Sequence, residues 1–93
     1  KTLINFAGMK VFPYEVEAVL NRFPGVRASF VYAEPHPRYG QLPCARVEAS
    51  PGVIPTELQR FGYEHLESYK VPKKIEVVDF LDRTESGKIK RNL

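Results

Sequence analysis

Cysteine is almost missing from this sequence. Cys44 stands alone, so no internal disulfide can form, and neither it nor the two histidines falls in a cluster with zinc-ligand spacing. No apolar run approaches the ~18 residues of a membrane helix, and the N-terminus lacks the layout of a signal peptide. A reducing, cytoplasmic setting is expected. Internal repeats and low-complexity tracts are lacking, and no Ser/His/Asp arrangement can be argued.

What remains is an ordinary globular composition, 43% hydrophobic and 27% charged, which argues against disorder. At 93 residues the chain, 1–93, reads as one domain, because a second core would not fit. A domain of this size buries roughly 60–65% of its unfolded surface, so its stability is modest. The opening Lys1-Thr2-Leu3-Ile4 carries no methionine and reads as the start of a segment from something longer. The net charge is +3, with Lys70, Lys73, Lys74, Lys88, Lys90 and Arg91 gathered in the last quarter. Such a field suits an anionic partner, and it equally suits a plain solvated surface.

Pattern and punctuation predict an α+β sandwich, with two or three helices on a three-stranded sheet preceded by a short hinge hairpin. Leu3–Phe6 and Met9–Phe12 are the arms of the hairpin, bent at Ala7-Gly8. Pro13 opens the first helix, with Glu15 and Glu17 near the positive end of its dipole. Val16, Val19, Leu20 and Phe23 give it one apolar face, and Pro24-Gly25 stops it. Val26–Ala33 and Leu42–Ala49 read as strands, separated by a rigid loop over Glu34–Gly40 that should continue neither helix nor sheet. Pro43 confines its end of the second strand to an edge or a ladder start. A second helix is expected over Pro55–Ser68, with Thr56 and Gln59 at capping-box spacing and Gly62 costing about 1 kcal/mol. Lys74–Phe80 is the third strand, and a third helix is expected to begin near Lys88.

The chemistry is concentrated in Arg83-Thr84-Glu85-Ser86-Gly87-Lys88-Ile89. Gly87 lets the backbone reach positive φ or pass close to a ligand. Lys88 delivers a compact charge on a flexible stem, suited to a phosphate or to charge developing between carboxylate and phosphate. The same three letters occur in many surface loops, and the Gly-x-x-x-x-Gly-Lys-Ser/Thr pattern is not met, so an exposed lysine without a role fits as well. His36 and His65 are isolated, and Cys44 reads as a small buried hydrophobe; no metal-binding residues are expected.

Four stretches in order resemble the C-terminal domain of the AMP-forming adenylating superfamily. These enzymes include acyl- and aryl-CoA synthetases, firefly-type luciferases and the adenylation domains of nonribosomal peptide synthetases. Leu3–Glu17 is similar to the eighth core motif, and Val31–Gln41 to the strand and Pro-x-Pro-x-x-Gly-Glu loop. Tyr69-Lys70-Val71-Pro72-Lys73-Lys74-Ile75 matches the third stretch. Arg83–Arg91 resembles the tenth motif, Pro-x-Thr-x-Ser/Thr-Gly-Lys-Ile-x-Arg.

The resemblance implies an ATP-dependent, AMP-forming acid–thiol ligase. ATP enters as its magnesium complex, an acyl-adenylate forms, and CoA or a carrier-protein pantetheine accepts the acyl group. The C-terminal domain swings as a lid against its own N-terminal domain, which binds most of the ATP and the carboxylic acid, so this chain alone should be inactive. Lys88 matches the adenylation lysine and Gly87 its loop glycine. Lys1 matches the hinge position, and Gly8 the glycine that leaves room for the pantetheine tunnel. Tyr69 and Lys73 fall where some members contact the CoA nucleotide. Asp82 replaces the proline usual before Arg83, Gln41 an acid, His36 an aspartate, and Asn5 a common lysine. Against this stands a second reading, a basic module that binds RNA or another anion through the C-terminal lysines and nearby tyrosines. The resemblance itself expects no nucleic acid and no membrane segment.

Overall fold

The computed structural model describes residues 3–91. Among these, the elements run β1 (Ile4–Phe6), β2 (Met9–Val11), α1 (Pro13–Leu20), β3 (Val26–His36), β4 (Gly40–Ala49), α2 (Pro55–His65), a 3-10 turn (Ser68–Lys70) and β5 (Lys74–Val78). The α+β class stands, but the sheet among the described residues has five strands rather than three. The hairpin does not precede the sheet; it joins it, through Phe6 opposite Gly40, giving the order β2-β1-β4-β3 with β5 also beside β4.

The long β3–β4 ladder is the frame. It runs antiparallel from Val26 opposite Ala49 to His36 opposite Gly40, with one irregularity between Val26 and Ala28. The loop expected over Glu34–Gly40 therefore shrinks to a tight turn, with Pro35 inside a strand. The reason lies in strand parity. The Val31 N–H points away from β4, because it donates to the Glu17 carboxylate at 2.8 Å. Pro35, four residues on, points its nitrogen the same way, so its missing N–H falls on the free edge of β3 and breaks no ladder bond. Pro43 obeys the same logic within β4. Its carbonyl accepts the Lys73 N–H at 2.8 Å on the side away from β3, and the β5 ladder begins only at Cys44. The expected ladder start is what forms.

Strand β5 runs parallel to β4, from Cys44 opposite Lys74 to Glu48 opposite Val78, and α2 is the crossover that a parallel pair requires. Paired residues share a face, which sorts the sheet into an inner and an outer side. Val31, Ala45, Val47 and Ala49 point inward to Ile4, Val11, Val16, Leu20 and Leu58, forming the core beneath α1 and α2. Phe30, Arg46 and Glu48 point outward. Val19 and Phe23, expected on the apolar face of α1, lie half-buried at its margin.

Two helix expectations change. α2 ends at His65 because Leu66 turns extended, and it begins at Pro55 with no side-chain cap. Gln59 does not close a capping box; its amide donates to the Pro72 carbonyl at 3.0 Å. Gly62 is there for packing: a Cβ at that position would lie 3.2 Å from Cγ1 of buried Val71. The helix expected at Lys88 is not formed among the described residues. Arg83 and Ile89 pair instead as an antiparallel bridge. Among the described residues, no helix is long and apolar enough to cross a membrane.

Candidate functional site

After β5 the chain crosses the outer face of the sheet, and the lysine motif folds there as a small hairpin. Thr84 N–H donates to the Lys88 carbonyl at 2.7 Å, and Gly87 N–H to the Thr84 carbonyl at 2.9 Å. The Thr84 hydroxyl lies 3.0 Å from that of Ser86 and accepts the Lys88 N–H at 3.3 Å. Lys90 N–H closes on the Asp82 carbonyl at 2.9 Å. Gly87 holds φ +91° with no atom near its missing Cβ, so glycine is required by the backbone rather than by crowding. The Arg83–Ile89 bridge and the Lys90–Asp82 bond take up the stretch expected to start a helix.

Lys88 is exposed at the tip, on a concavity lined also by Tyr14, Gly87, Ile89 and Arg91. Among the described residues, Lys70 pairs with Glu15 and Glu67 at 3.1 Å each, and Lys74 with Glu34 at 2.7 Å. These contacts hold both ammonium pKa values above the ordinary lysine value, through hydrogen bonds from Lys70 to Glu15 and from Lys74 to Glu34. No such ion pair involves Lys88 among the described residues.

Gly8 belongs to a second cluster. Ala7 at φ +53° and Gly8 at φ +84° are the left-handed pair of a two-residue hairpin turn. Nothing lies near the missing Cβ of Gly8, so within this domain it too is a backbone requirement. The Asn5 side chain accepts the Gly8 N–H at 3.1 Å, and the Gln41 side chain accepts the Asn5 N–H at 2.6 Å. Lys73 lies over Phe6 in the same hairpin, 5.3 Å from its centroid, and donates to the Ser68 carbonyl at 2.9 Å. Tyr69 is half-buried against the core, under the Lys70 ammonium. The structure therefore sets Lys73 against the hairpin that carries Gly8 and places Gly87 and Lys88 on a separate concavity. Successive residues of α1 link the two, Glu15 toward Lys70 and Tyr14 toward Arg91, whose guanidinium sits 4.4 Å from the tyrosine centroid. Lys1, the expected hinge, lies outside the described residues.

The residues 15–88 match the model of one protein family, the AMP-binding enzyme C-terminal domain. The chain belongs to this family. It is 38% identical over 91 residues to the 3,4-dihydroxybenzoate–[aryl-carrier protein] ligase of Bacillus anthracis, covering 98% of this chain and 22% of that protein. It is 35% identical over 92 residues to the 2-succinylbenzoate–CoA ligase of Staphylococcus aureus, covering 99% of this chain and 19% of that one. A Mycobacterium tuberculosis fatty acyl CoA synthetase superposes with a TM-score of 0.89 at 31% identity, over 94% of this chain and 18% of that chain. The chain spans about a fifth of the length of the curated relatives it matches.

Within this AMP-binding C-terminal domain, the two neutral residues Gln41 and Asn5 meet, the Gln41 side chain bonding the Asn5 backbone. His36 is a turn residue, its Nδ1 accepting the Arg38 and Tyr39 N–H groups. His65 closes on the Phe61 carbonyl at the end of α2. Cys44 is buried in β4, and burial pushes its thiol pKa up to about 11, which leaves it inert at neutral pH.

Two residues of the lysine hairpin's support escape the sequence reading. Glu17 does not serve the helix dipole in water; it is buried and bonds Val31 and Arg91. Glu48 is buried on the outer face, where it accepts Leu81 N–H at 3.0 Å, Arg83 at 2.9 Å and Arg27 at 3.1 Å. An acid between the apolar neighbours Glu17 has on α1 is a signal for a buried ion pair; the partner, 74 residues away, leaves none.

Proposed function

We propose that this chain is the mobile lid of an AMP-forming carboxylic acid ligase, with Lys88 as its adenylation lysine. In the first step a carboxylate oxygen of the acid attacks the α-phosphorus of magnesium-bound ATP, and the bond to pyrophosphate breaks. In the second, the thiol sulfur of CoA or a carrier-protein pantetheine, having lost its proton, attacks the acyl carbon and AMP leaves. The ATP and acid pockets belong to the N-terminal domain, and the whole operates in the cytoplasm. Lys88 offers its ammonium to the oxygens that carry the developing charge of the first step. Gly8, with Tyr69 and Lys73 nearby, borders the channel for pantetheine and the CoA nucleotide in the second. Lys1 is the pivot.

The observation that carries this reading is the hairpin itself: an exposed ammonium without an ion pair among the described residues, on a turn closed by Gly87 in left-handed conformation. The relatives include a CoA ligase and an aryl-carrier protein ligase, which supports a thiol acceptor of either kind. The RNA-binding alternative loses force because half of the cations invoked for it are already engaged. Lys70, Lys74 and Arg91 are ion-paired, and the Arg91 guanidinium lies over the Tyr14 ring.

The test is acid-dependent ATP–pyrophosphate exchange by the full-length ligase across a panel of carboxylic acids, wild type beside Lys88→Ala. Losing one such transition-state contact costs about 3–4 kcal/mol, or about 10²–10³ in rate. Exchange should collapse by that factor, while thioester formation from preformed acyl-adenylate survives. Undiminished exchange would strip Lys88 of the role.

A further inference from the structure

The lysine hairpin has few means of holding its position. Residues 82–88 are exposed, and the bonds within the turn are local. Its long-range attachments sit at the two ends of the motif, on two arginines that each reach a buried glutamate. At the entry, Arg83 donates to Glu48 at 2.9 Å; the same carboxylate holds Leu81 N–H and Arg27, and Arg27 reaches on to the Asp79 carbonyl at 2.7 Å. At the exit, Arg91 grips Glu17 with both terminal nitrogens, one at 2.8 Å, in a bidentate pair. That guanidinium is also packed between the rings of Tyr14 and Phe30, at 4.4 and 5.5 Å. Glu17 and Glu48 are 6% and 4% exposed, and each also receives a backbone N–H, from Val31 and Leu81 respectively. Their carboxylates are thus fixed to the frame before the arginines bind them.

Resting on the adenylation reading of Lys88, we propose that Glu17–Arg91 and Glu48–Arg83 form a two-point clamp. Arg91 is a positioning residue that sets where the Lys88 ammonium arrives in the first half-reaction. Lys88 precedes Arg91 by three residues, so a shift at the exit is passed to the lysine through one short stretch of backbone. The clamp is built of this chain's own side chains and backbone. Its effect is geometric, and displacement of a reacting group by about 1 Å lowers a rate by about 10²-fold. The second half-reaction does not use the ammonium and is insensitive to the clamp.

The experiment measures both half-reactions of the full-length ligase in Arg91→Ala, Arg91→Lys and Lys88→Ala. Arg91→Ala should lower acid-dependent ATP–pyrophosphate exchange by about 10-fold to 10²-fold, and thioester formation from preformed acyl-adenylate by less than about 2-fold. Arg91→Lys keeps the charge but loses the fork, and should fall between wild type and alanine. A proportional fall in both half-reactions would reduce Arg91 to a fold-stabilising residue and overturn the proposal. Because Arg91→Ala leaves Glu17 buried without its counterion, the Glu17→Gln/Arg91→Met double variant repeats the test with no stranded charge. Exchange intact in Arg91→Ala and in the double variant, but lost in Lys88→Ala, overturns the clamp alone. Exchange intact in Lys88→Ala overturns the reading on which the clamp rests.

Discussion

Lowering the pH should unfasten Glu48 before it disturbs the core. Its carboxyl pKa is held down from 4.5 to about 2, chiefly by the Leu81 N–H and then by Arg83 and Arg27, against an opposing cost of burial. The folded state therefore binds this proton more weakly than the unfolded chain does. The stabilisation is complete above pH 4.5 and is lost as the pH falls toward 2. Taken at face value the difference is about 3 kcal/mol. Arg27 and Arg83 are 46% and 36% exposed, so solvent screens their share and about 2 kcal/mol is the better figure. Most of it should disappear by pH 3. Urea unfolding of the 93-residue chain from pH 6 to pH 3, wild type beside Glu48→Gln, measures this contribution directly. The wild type should lose about 1.5 kcal/mol more than the variant over that range. Parallel pH profiles would mean that the Glu48 network contributes nothing net, and the reasoning would fail.

Gly62→Ala sets a helix-propensity gain of about 1 kcal/mol against the cost of overpacking, about 1–3 kcal/mol. Val71 is fully buried and β-branched, so it cannot yield to a Cβ at 3.2 Å, and thermal melts should show a net loss of about 1 kcal/mol. In a Val71→Ala background the same substitution should stabilise. Cys44 should react with a thiol reagent far more slowly in the folded chain than in denaturant, and a rapid reaction without denaturant would contradict its burial. Lys88→Ala should change unfolding free energy by less than about 0.5 kcal/mol, because the side chain is exposed and outside the ion pairs; a larger loss would place Lys88 in the fold.

Local chemistry made much of this legible. Pro13 marked the start of α1, and Val16 and Leu20 its buried face, because both signals lie within a few residues of each other. The Gly87-Lys88 motif was legible for the same reason: a left-handed turn needs only its own sequence. Several misreadings turn on distant partners. Pro35 looked incompatible with a strand until the free edge of β3 was known. Gln59 was drawn to Pro72 instead of its own helix start, and Gly62 answers to Val71. The two clamping glutamates were invisible as such, since Glu17 and Arg91 meet only once the chain has crossed the far face of the sheet.

The free edge of β3 carries a cost of its own. An unpaired strand of 11 residues is a template on which a second molecule could add a strand. Here two of the outward positions offer no free donor: Glu17 takes the Val31 N–H, and Pro35 has none to give. Arg91, by neutralising that glutamate, keeps it in place. The contact that steadies the lysine hairpin is thus also a guard against intermolecular strand pairing. Chains without it should aggregate more readily on refolding, in proportion to their concentration, even where the native fold survives.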